Sequence, residues 1–233
     1  MLIIVDYDNI RLEQQRKGLE FIVDSILEAL GPDRLAGELR VLLRLYGGWY
    51  EGTDETQRSQ GLAAEIATAF PKAVVIARGE KLVKLIVTIE LAYSLVVDPR
   101  NHLFHTFKRR GAPRGLHCRM PAEVDCNDPE CPGAILYEFI QNGKCPKCGM
   151  KTQELLFRAE QKLVDTMMTA DVIHLAGERE QDVCIVSSDA DLWPAVLTAL
   201  LCGRHVTQVH TRGNGTPDKY CDHAEKCYTQ VFL

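Results

Sequence analysis

Leu2-Ile3-Ile4-Val5-Asp6-Tyr7-Asp8-Asn9 opens the chain and decides how the rest is read. Four apolar residues enriched in β-branching make a strand buried on both faces, as in a parallel sheet. The run stops in carboxylates and an amide at the carboxyl end of the strand. In open α/β sheets that edge is where ligands sit. Asp6 and Asn9 delivered there would mount a divalent metal. The plainer alternative is that Asp8 or Asn9 caps the helix that follows.

Outward from this strand the pattern alternates. Leu19, Ile22, Val23, Ile26, Leu27 and Leu30 fall at helical spacing within Leu12–Leu30, and Gly31-Pro32 is expected to end that helix. Leu39–Tyr46 reads as a second strand, Thr56–Phe70 as a helix and Ala73–Ala77 as a third strand. This β-α-β-α-β order predicts right-handed parallel crossovers. Lys81–Val97 is a long strand or a buried helix. If His102–Arg109 is a strand, the two make a hairpin across the turn Asp98-Pro99-Arg100-Asn101. Beyond a cysteine-rich segment, the sequence predicts a helix from Arg158 to about Gly177 and a strand at Val183–Val186. A helix with Pro194 in its first turn then reaches about Leu201. His205–His210 is a fifth strand, and a short apolar run, Tyr228–Leu233, closes the chain.

At 233 residues, 46% apolar and 25% charged, the chain suits one α/β domain with a small insertion. A net charge of −5 leaves no global basic footprint, so any nucleic-acid surface must be local. The first residues already read as the core strand, so no N-terminal leader signal is expected. Lys84 and Glu90 interrupt the apolar run Leu82–Val97, so no membrane association is expected. Five of the nine cysteines lie between Cys118 and Cys148. Such clustering points to metal rather than disulfides, and so to a reducing cytoplasm.

Carboxylates recur at three distant places. Asp6 ends the first strand, Asp189 and Asp191 follow the strand at Val183–Val186, and Asp165 lies inside the predicted helix before it. Asp is a poor residue for a helix interior, although an i,i+3 surface pair with Lys162 would also explain it. Grouped carboxylates raise one another's pKa unless a cation neutralises them. Mg²⁺ or Mn²⁺, hard ions with oxygen ligands, meet that need and support phosphodiester hydrolysis by an activated water.

Val5-Asp6-x-x-Asn9, Lys162-x-x-Asp165 and Ser187-Ser188-Asp189-x-Asp191-x-x-Pro194 resemble, in order, the three signature segments of the NYN domain, a branch of the PIN-like nuclease superfamily. The resemblance covers roughly 1–110 and 155–215. It implies an α/β fold with a parallel sheet flanked by helices, and metal-dependent cleavage of RNA. By position, Asp6, Asp165 and Asp189 would hold the metal. Asn9 would hold the substrate phosphate or a metal-bound water, and Asp191 would be a further ligand or a supporting group. Asp8 and Asp171 match less firmly. The cysteine-rich insertion departs from the family pattern, giving a nuclease domain over 1–115 and 151–233 and an insertion over 116–150.

Within the insertion, Cys126-x4-Cys131, thirteen residues, then Cys145-Pro-Lys-Cys148-Gly149 reads as a zinc ribbon. Cys118, after His117, could replace Cys126. Ile135–Ile140 with Asn142-Gly143 reads as a strand and hairpin turn between the pairs. So small a segment would depend on zinc to fold. Cys184 and Cys202 read as core residues, and Cys221, His223 and Cys227 as incidental.

The densest basic run, Lys108, Arg109, Arg110 and Arg114, would contact phosphates without reading sequence. A solvated loop explains it as well. Gly47-Gly48-Trp49-Tyr50 offers rings for base stacking or for packing on a neighbouring helix. RNA is the expected partner, DNA an alternative, with a second copy or a regulatory protein left open. Two rival readings stand beside the nuclease. One is a non-catalytic RNA- or protein-binding module of the same fold. The other is a haloacid-dehalogenase-type phosphatase using Asp6 and Asp8, which would want Thr or Val where Ile10 stands.

Overall fold

The computed structural model describes residues 1–110, 116–128, 130–179, 181–213 and 227–233. Arg114, Cys221 and His223 lie outside the described residues, as does the side chain of Arg110. Two compact units divide the chain: Met1–Thr106 with Gln161–Leu233, and Phe107–Glu160.

In chain order the first unit opens with β1 (Leu2–Asp6), a short helix α1 (Leu12–Gln15), α2 (Leu19–Arg34) and β2 (Arg40–Tyr46). A small hairpin, β3 (Tyr50–Glu51) and β4 (Asp54–Glu55), precedes α3 (Gln57–Ala69), β5 (Lys72–Arg78) and β6 (Lys81–Leu91). The second unit holds β7 (Phe107–Arg110), α4 (Pro132–Asn142), α5 (Thr152–Leu155) and most of β8 (Arg158–Gln161). The first unit resumes with α6 (Val164–Gly177), β9 (Val183–Val186), α7 (Trp193–Leu201), β10 (Val206–His210) and β11 (Tyr228–Phe232).

The fold is mixed α/β, and its principal sheet has the strand order β11-β10-β9-β1-β2-β6-β5. β1 lies at its centre, parallel to β2 and to β9. Successive side chains of a strand point to opposite faces. Ile3 and Val5 therefore pack with Leu19, Ile22, Val23, Ile26, Leu27 and Leu30 of α2, while Ile4 packs with Met167, Met168 and Val172 of α6 and Val196 of α7. Burial on both faces is why the strand is apolar without alternation.

Several expectations need correction. The third strand, β5, is not parallel: it pairs antiparallel with β6 at the sheet edge, joined through Gly79-Glu80 with Gly79 at φ 61°. So tight a turn returns the chain alongside itself, and β6, not β5, completes the parallel crossover from β2. No hairpin forms between Lys81–Val97 and His102–Arg109. Both edges of β6 are already occupied, by β2 and β5. The helix expected over Leu12–Leu30 is interrupted at Gly18, with φ 92°, and α2 bends at Gly31 and continues through Pro32 to Arg34. The helix expected from Arg158 begins only at Val164, because Arg158–Gln161 is strand.

In the second unit, Ile135–Ile140 is helix, not strand. Pro132 sits in the first turn, the Cys131 thiol accepts from the Gly133 N–H, and Gly143 ends α4 at φ 66°. The apolar positions Ile135, Leu136, Phe139 and Ile140 fit a helical face equally well. Phe139 is the one large apolar side chain buried among the unit's described residues. Among the described residues of the whole chain, no helix is long and apolar enough to cross a membrane.

Candidate metal centre

The register at the heart of the sheet brings the acidic segments together. Val5 pairs with Val186, so Asp6 and the Ser187-Ser188-Asp189 segment leave adjacent strands at the same edge. The helix after β1 packs on one face and the helix after β9 on the other. Ligand crevices open at that kind of divergence. α6 then contributes Asp165 from its first turn. Asp6, Asp165 and Asp189 each present a carboxylate oxygen, all within 4.8 Å of one another, and this is the one such group of His, Cys, Asp or Glu among the described residues.

Hydrogen bonds hold the cluster in place. Asp6 is buried and accepts from the Asn9 N–H at 3.2 Å and from Ser187 Oγ at 3.0 Å. Ser187 Oγ accepts in turn from the Asp189 N–H at 3.0 Å, and Asp189 Oδ1 accepts from the Asp191 N–H at 2.9 Å. Asn9 Oδ1 accepts from the Ser188 N–H at 2.9 Å and from Thr211 Oγ1 at 2.5 Å. The carboxyl ends of β1, β9 and β10 are thereby tied together by neutral donors.

Burial pushes Asp6 up to about 7 against the lowering effect of the Ser187 hydrogen bond, and the charges of Asp8 and Asp165 push the same way as burial. Asp165 is also raised, first by desolvation and then by Asp189, Asp191 and Asp8. Two full charges 4.8 Å apart repel by about 3–4 kcal/mol at an effective dielectric of ~20. Three carboxylates cannot stay ionised at that cost without a proton or a cation. Oxygen donors with no thiol or imidazole fit a hard divalent ion of the Mg²⁺ or Mn²⁺ kind.

No family model matches the chain, and no curated protein or solved structure matches it significantly. The site stands on its own geometry.

The sequence places Asp165 in a helix interior. In the structure it occupies the first turn, where an acidic side chain meets the positive end of the helix, and Lys162 lies before the helix rather than on its face. Asn9 is not an open side chain, since its oxygen is fully engaged, and Nδ2 donates to no described residue. Asp191 is exposed and outside the triad, yet close enough to act on Asp165. Asp8 is committed elsewhere: it pairs with Arg58 and accepts from the Gly48 N–H at 3.0 Å. A phosphatase acid at Asp8 has no freedom there. Trp49 and Tyr50 are buried, so packing and not stacking explains them.

Lys108 and Arg109 lie exposed on β7 in the second unit. The cysteines there form two close pairs. The Gly133 N–H and then Cys126 lower the Cys131 thiol; the N–H groups of Cys148 and Lys147, and then the Cys148 thiol, lower Cys145. Either pair could hold metal, but neither is joined by a third ligand among the described residues, and Cys118 stands apart from both. Among the described residues the two pairs are not joined into one group of ligands within 4.8 Å.

Sequence reading missed the support beneath the site. Asp171, fully buried in α6, accepts from Tyr46 Oη at 2.5 Å and from the Val96 N–H at 2.8 Å. Arg44 Nε donates to Tyr46 Oη at 3.1 Å, and its guanidinium pairs with Glu90. The available signal was a polar residue at an inward position in each element, Arg44 in an apolar strand and Asp171 on the apolar face of a helix.

Proposed function

We propose that this protein is a metal-dependent nuclease of the NYN, PIN-like kind, hydrolysing RNA phosphodiester bonds with Mg²⁺ or Mn²⁺ held by Asp6, Asp165 and Asp189. The observation that carries the reading is the convergence of those three carboxylates within 4.8 Å at the carboxyl ends of the parallel strands β1 and β9, although Asp6 stands more than 150 residues from the other two in sequence. A bound ion of this class neutralises the carboxylates, offsets charge building on a phosphoryl oxygen and eases deprotonation of water. The chain's own residues do the rest. Ser187 and the Asn9 backbone orient Asp6, Asp191 adds negative field beside Asp165, and Asn9 Nδ2 is left to donate to a substrate phosphate oxygen.

In the second unit we assign Cys126, Cys131, Cys145 and Cys148 to structural zinc, supported by the two close pairs and by a core too small to fold the unit alone. Lys108, Arg109, Arg110 and Arg114 belong to this proposal as phosphate contacts. A reducing, cytoplasmic setting follows from free thiols in this role.

The test is incubation of end-labelled single-stranded RNA with Mn²⁺ or Mg²⁺, wild type beside Asp6→Asn and Asp189→Asn. Metal-dependent cutting that both substitutions abolish is the expected result. Cutting that survives both, or none by wild type on RNA and DNA, retires the nuclease.

A further inference from the structure

We propose that His102 and Phe104 form a platform on which an unpaired substrate base stacks, so that the protein acts on single-stranded rather than duplex RNA. This rests on the nuclease reading above and adds a binding subsite to it.

The segment between β6 and β7 has no helix or strand over 92–106, yet it is firmly held. The Leu103 N–H donates to the Tyr93 carbonyl at 2.7 Å, the His105 N–H to the Gly52 carbonyl at 2.9 Å, and Thr106 Oγ1 accepts from the Tyr50 N–H at 2.9 Å. Leu103 packs inward on the core, which sends its two neighbours outward together. Beneath them lie Tyr50 and Tyr93. Phe104 meets Tyr50 edge-on, with centroids 4.9 Å apart at 75°, and His102 stacks on Tyr93 at 5.5 Å and 28°. The Tyr50 hydroxyl lies 3.3 Å from His102 Nδ1. Two rings are thus fixed against two buried or half-buried ones while Phe104 stays 40% exposed.

A phenylalanine kept out of a core forgoes stabilisation that burial would supply. The rings are held in register by a rigid backbone, which suits recognition of a flat partner. The chemistry of that partner follows from the rim. Glu55 pairs with Tyr50 across the β3–β4 hairpin, and burial and then its charge raise the Tyr50 and Tyr93 hydroxyls. A carboxylate there repels phosphate, so the platform receives a base face and not the backbone. Every base has such a face, but it is available only when the base is unpaired.

Position ties the platform to the triad. Asp6 pairs in register with Tyr46 at the end of β2, and Leu45 with Leu91 at the end of β6, two residues before Tyr93. Two strand spacings separate the edges of β1 and β6, about 10 Å. At a rise of ~3.4 Å per stacked nucleotide, that spans about three nucleotides.

The experiment uses a twelve-nucleotide RNA with 2-aminopurine at successive positions, bound to the full chain in EDTA so that nothing is cut. Wild type and Phe104→Tyr quench the fluorophore at one position, about three nucleotides from the bond cut when Mn²⁺ is added. Phe104→Leu and His102→Leu abolish that quenching and weaken binding, each by about ten-fold. Both residues are surface-exposed, so thermal midpoints of the variants stay at the wild-type value. A complementary duplex neither quenches nor competes. Unchanged affinity in both leucine variants, or equal competition by duplex, overturns the platform. Cutting that continues in the leucine variants at unchanged KM sinks the platform and leaves the nuclease. Quenching lost on Phe104→Leu in a protein that never cuts RNA sinks the nuclease and leaves the platform. A wild type that neither binds nor cuts removes both.

Discussion

Replacing Asp165 by asparagine should make the metal-free protein more stable, a result opposite to the usual effect of a site mutation. Asp165 makes no hydrogen bond among the described residues, so the substitution removes charge and little else. Its carboxylate faces Asp6 and Asp189 within 4.8 Å, and each pair at full charge repels by about 3–4 kcal/mol at an effective dielectric of ~20. Asp165 is exposed, so water screens most of that. Its favourable place at the start of α6 is also lost, at about 0.5 kcal/mol. A net gain of about 1–2 kcal/mol remains, which for a chain of this size raises the melting midpoint by about 3–6 °C. The assay is thermal melting in EDTA at pH 8 and pH 5.5, repeated with Mn²⁺. Asp6, with its folded pKa raised to about 7, favours the folded state fully below its unfolded pKa. That contribution is lost as pH rises through 7. The advantage of Asp165→Asn is therefore largest at pH 8 and shrinks at pH 5.5, where Asp6 is protonated. Mn²⁺ at a hundred times its Kd adds about 2.7 kcal/mol to wild type and little to the variant, so the order reverses. A variant that melts below wild type in EDTA at pH 8, or one that gains as much from Mn²⁺, refutes the account.

Mn²⁺ affinity measured by calorimetry should tighten about ten-fold per pH unit between pH 5.5 and 7 and level off above, because binding displaces the Asp6 proton; a flat profile removes Asp6 from the ligand set. Asp171→Ala strands Tyr46 Oη, the Val96 N–H and Arg44 in the interior and should cost about 3–5 kcal/mol in denaturant melts. Asp171→Asn keeps the shape and should cost less than half as much; equal losses would mean that the charge facing Arg44, not the hydrogen-bonded shape, carries the stability, and no loss in either would mean that the network does not bear on it. Elemental analysis should find about one zinc per chain, absent from Cys145→Ser and removed by chelator with loss of protease resistance confined to 107–160; zinc-free protein with an intact second unit would leave the cysteines as free thiols.

What was legible followed from periodicity and local rules. Leu2–Val5 announced burial on both faces, and all six apolar positions read into the first long helix are buried in α2. Asp6 and Asp189 were legible because each follows an apolar strand; Asp165 was singled out as a poor residue for a helix interior, whereas α6 begins at Val164 and puts it in the first turn. The rest depends on long-range pairing. Nothing local in Asn9 says that its oxygen will be taken by Ser188 and Thr211, 179 and 202 residues away. The edge strand β5 read as parallel because the α/β rhythm was extended past Gly79, where a two-residue turn overrides it. Ile135–Ile140 was misread as a strand because so short a run can satisfy either period, and the decisive cues, Pro132 and Gly143, flank it. The aromatic signal attached to Trp49-Tyr50, conspicuous in sequence, while the exposed rings came from His102 and Phe104, in a stretch read as a possible strand and found irregular.

The arrangement of donors explains how three acids can share one pocket in a folded chain. Asp6 uses one lone pair on each oxygen for the Asn9 N–H and Ser187 Oγ, Asp189 uses Oδ1 for the Asp191 N–H, and Asp165 uses none. Each of the three keeps acceptor capacity facing the others. The donors that orient them are neutral, so they fix geometry without neutralising the charge that draws a cation. A lysine or arginine in their place would fill the ion's role and leave nothing to bind. Arg58 pairs with Asp8 and lies 4.8 Å over the ring of Tyr7, the residue next to Asp6. With Asp8→Ala the guanidinium loses its carboxylate partner, and Mn²⁺ affinity measured by calorimetry should fall although no ligand has been touched; unchanged affinity would mean that Arg58 does not reach the triad.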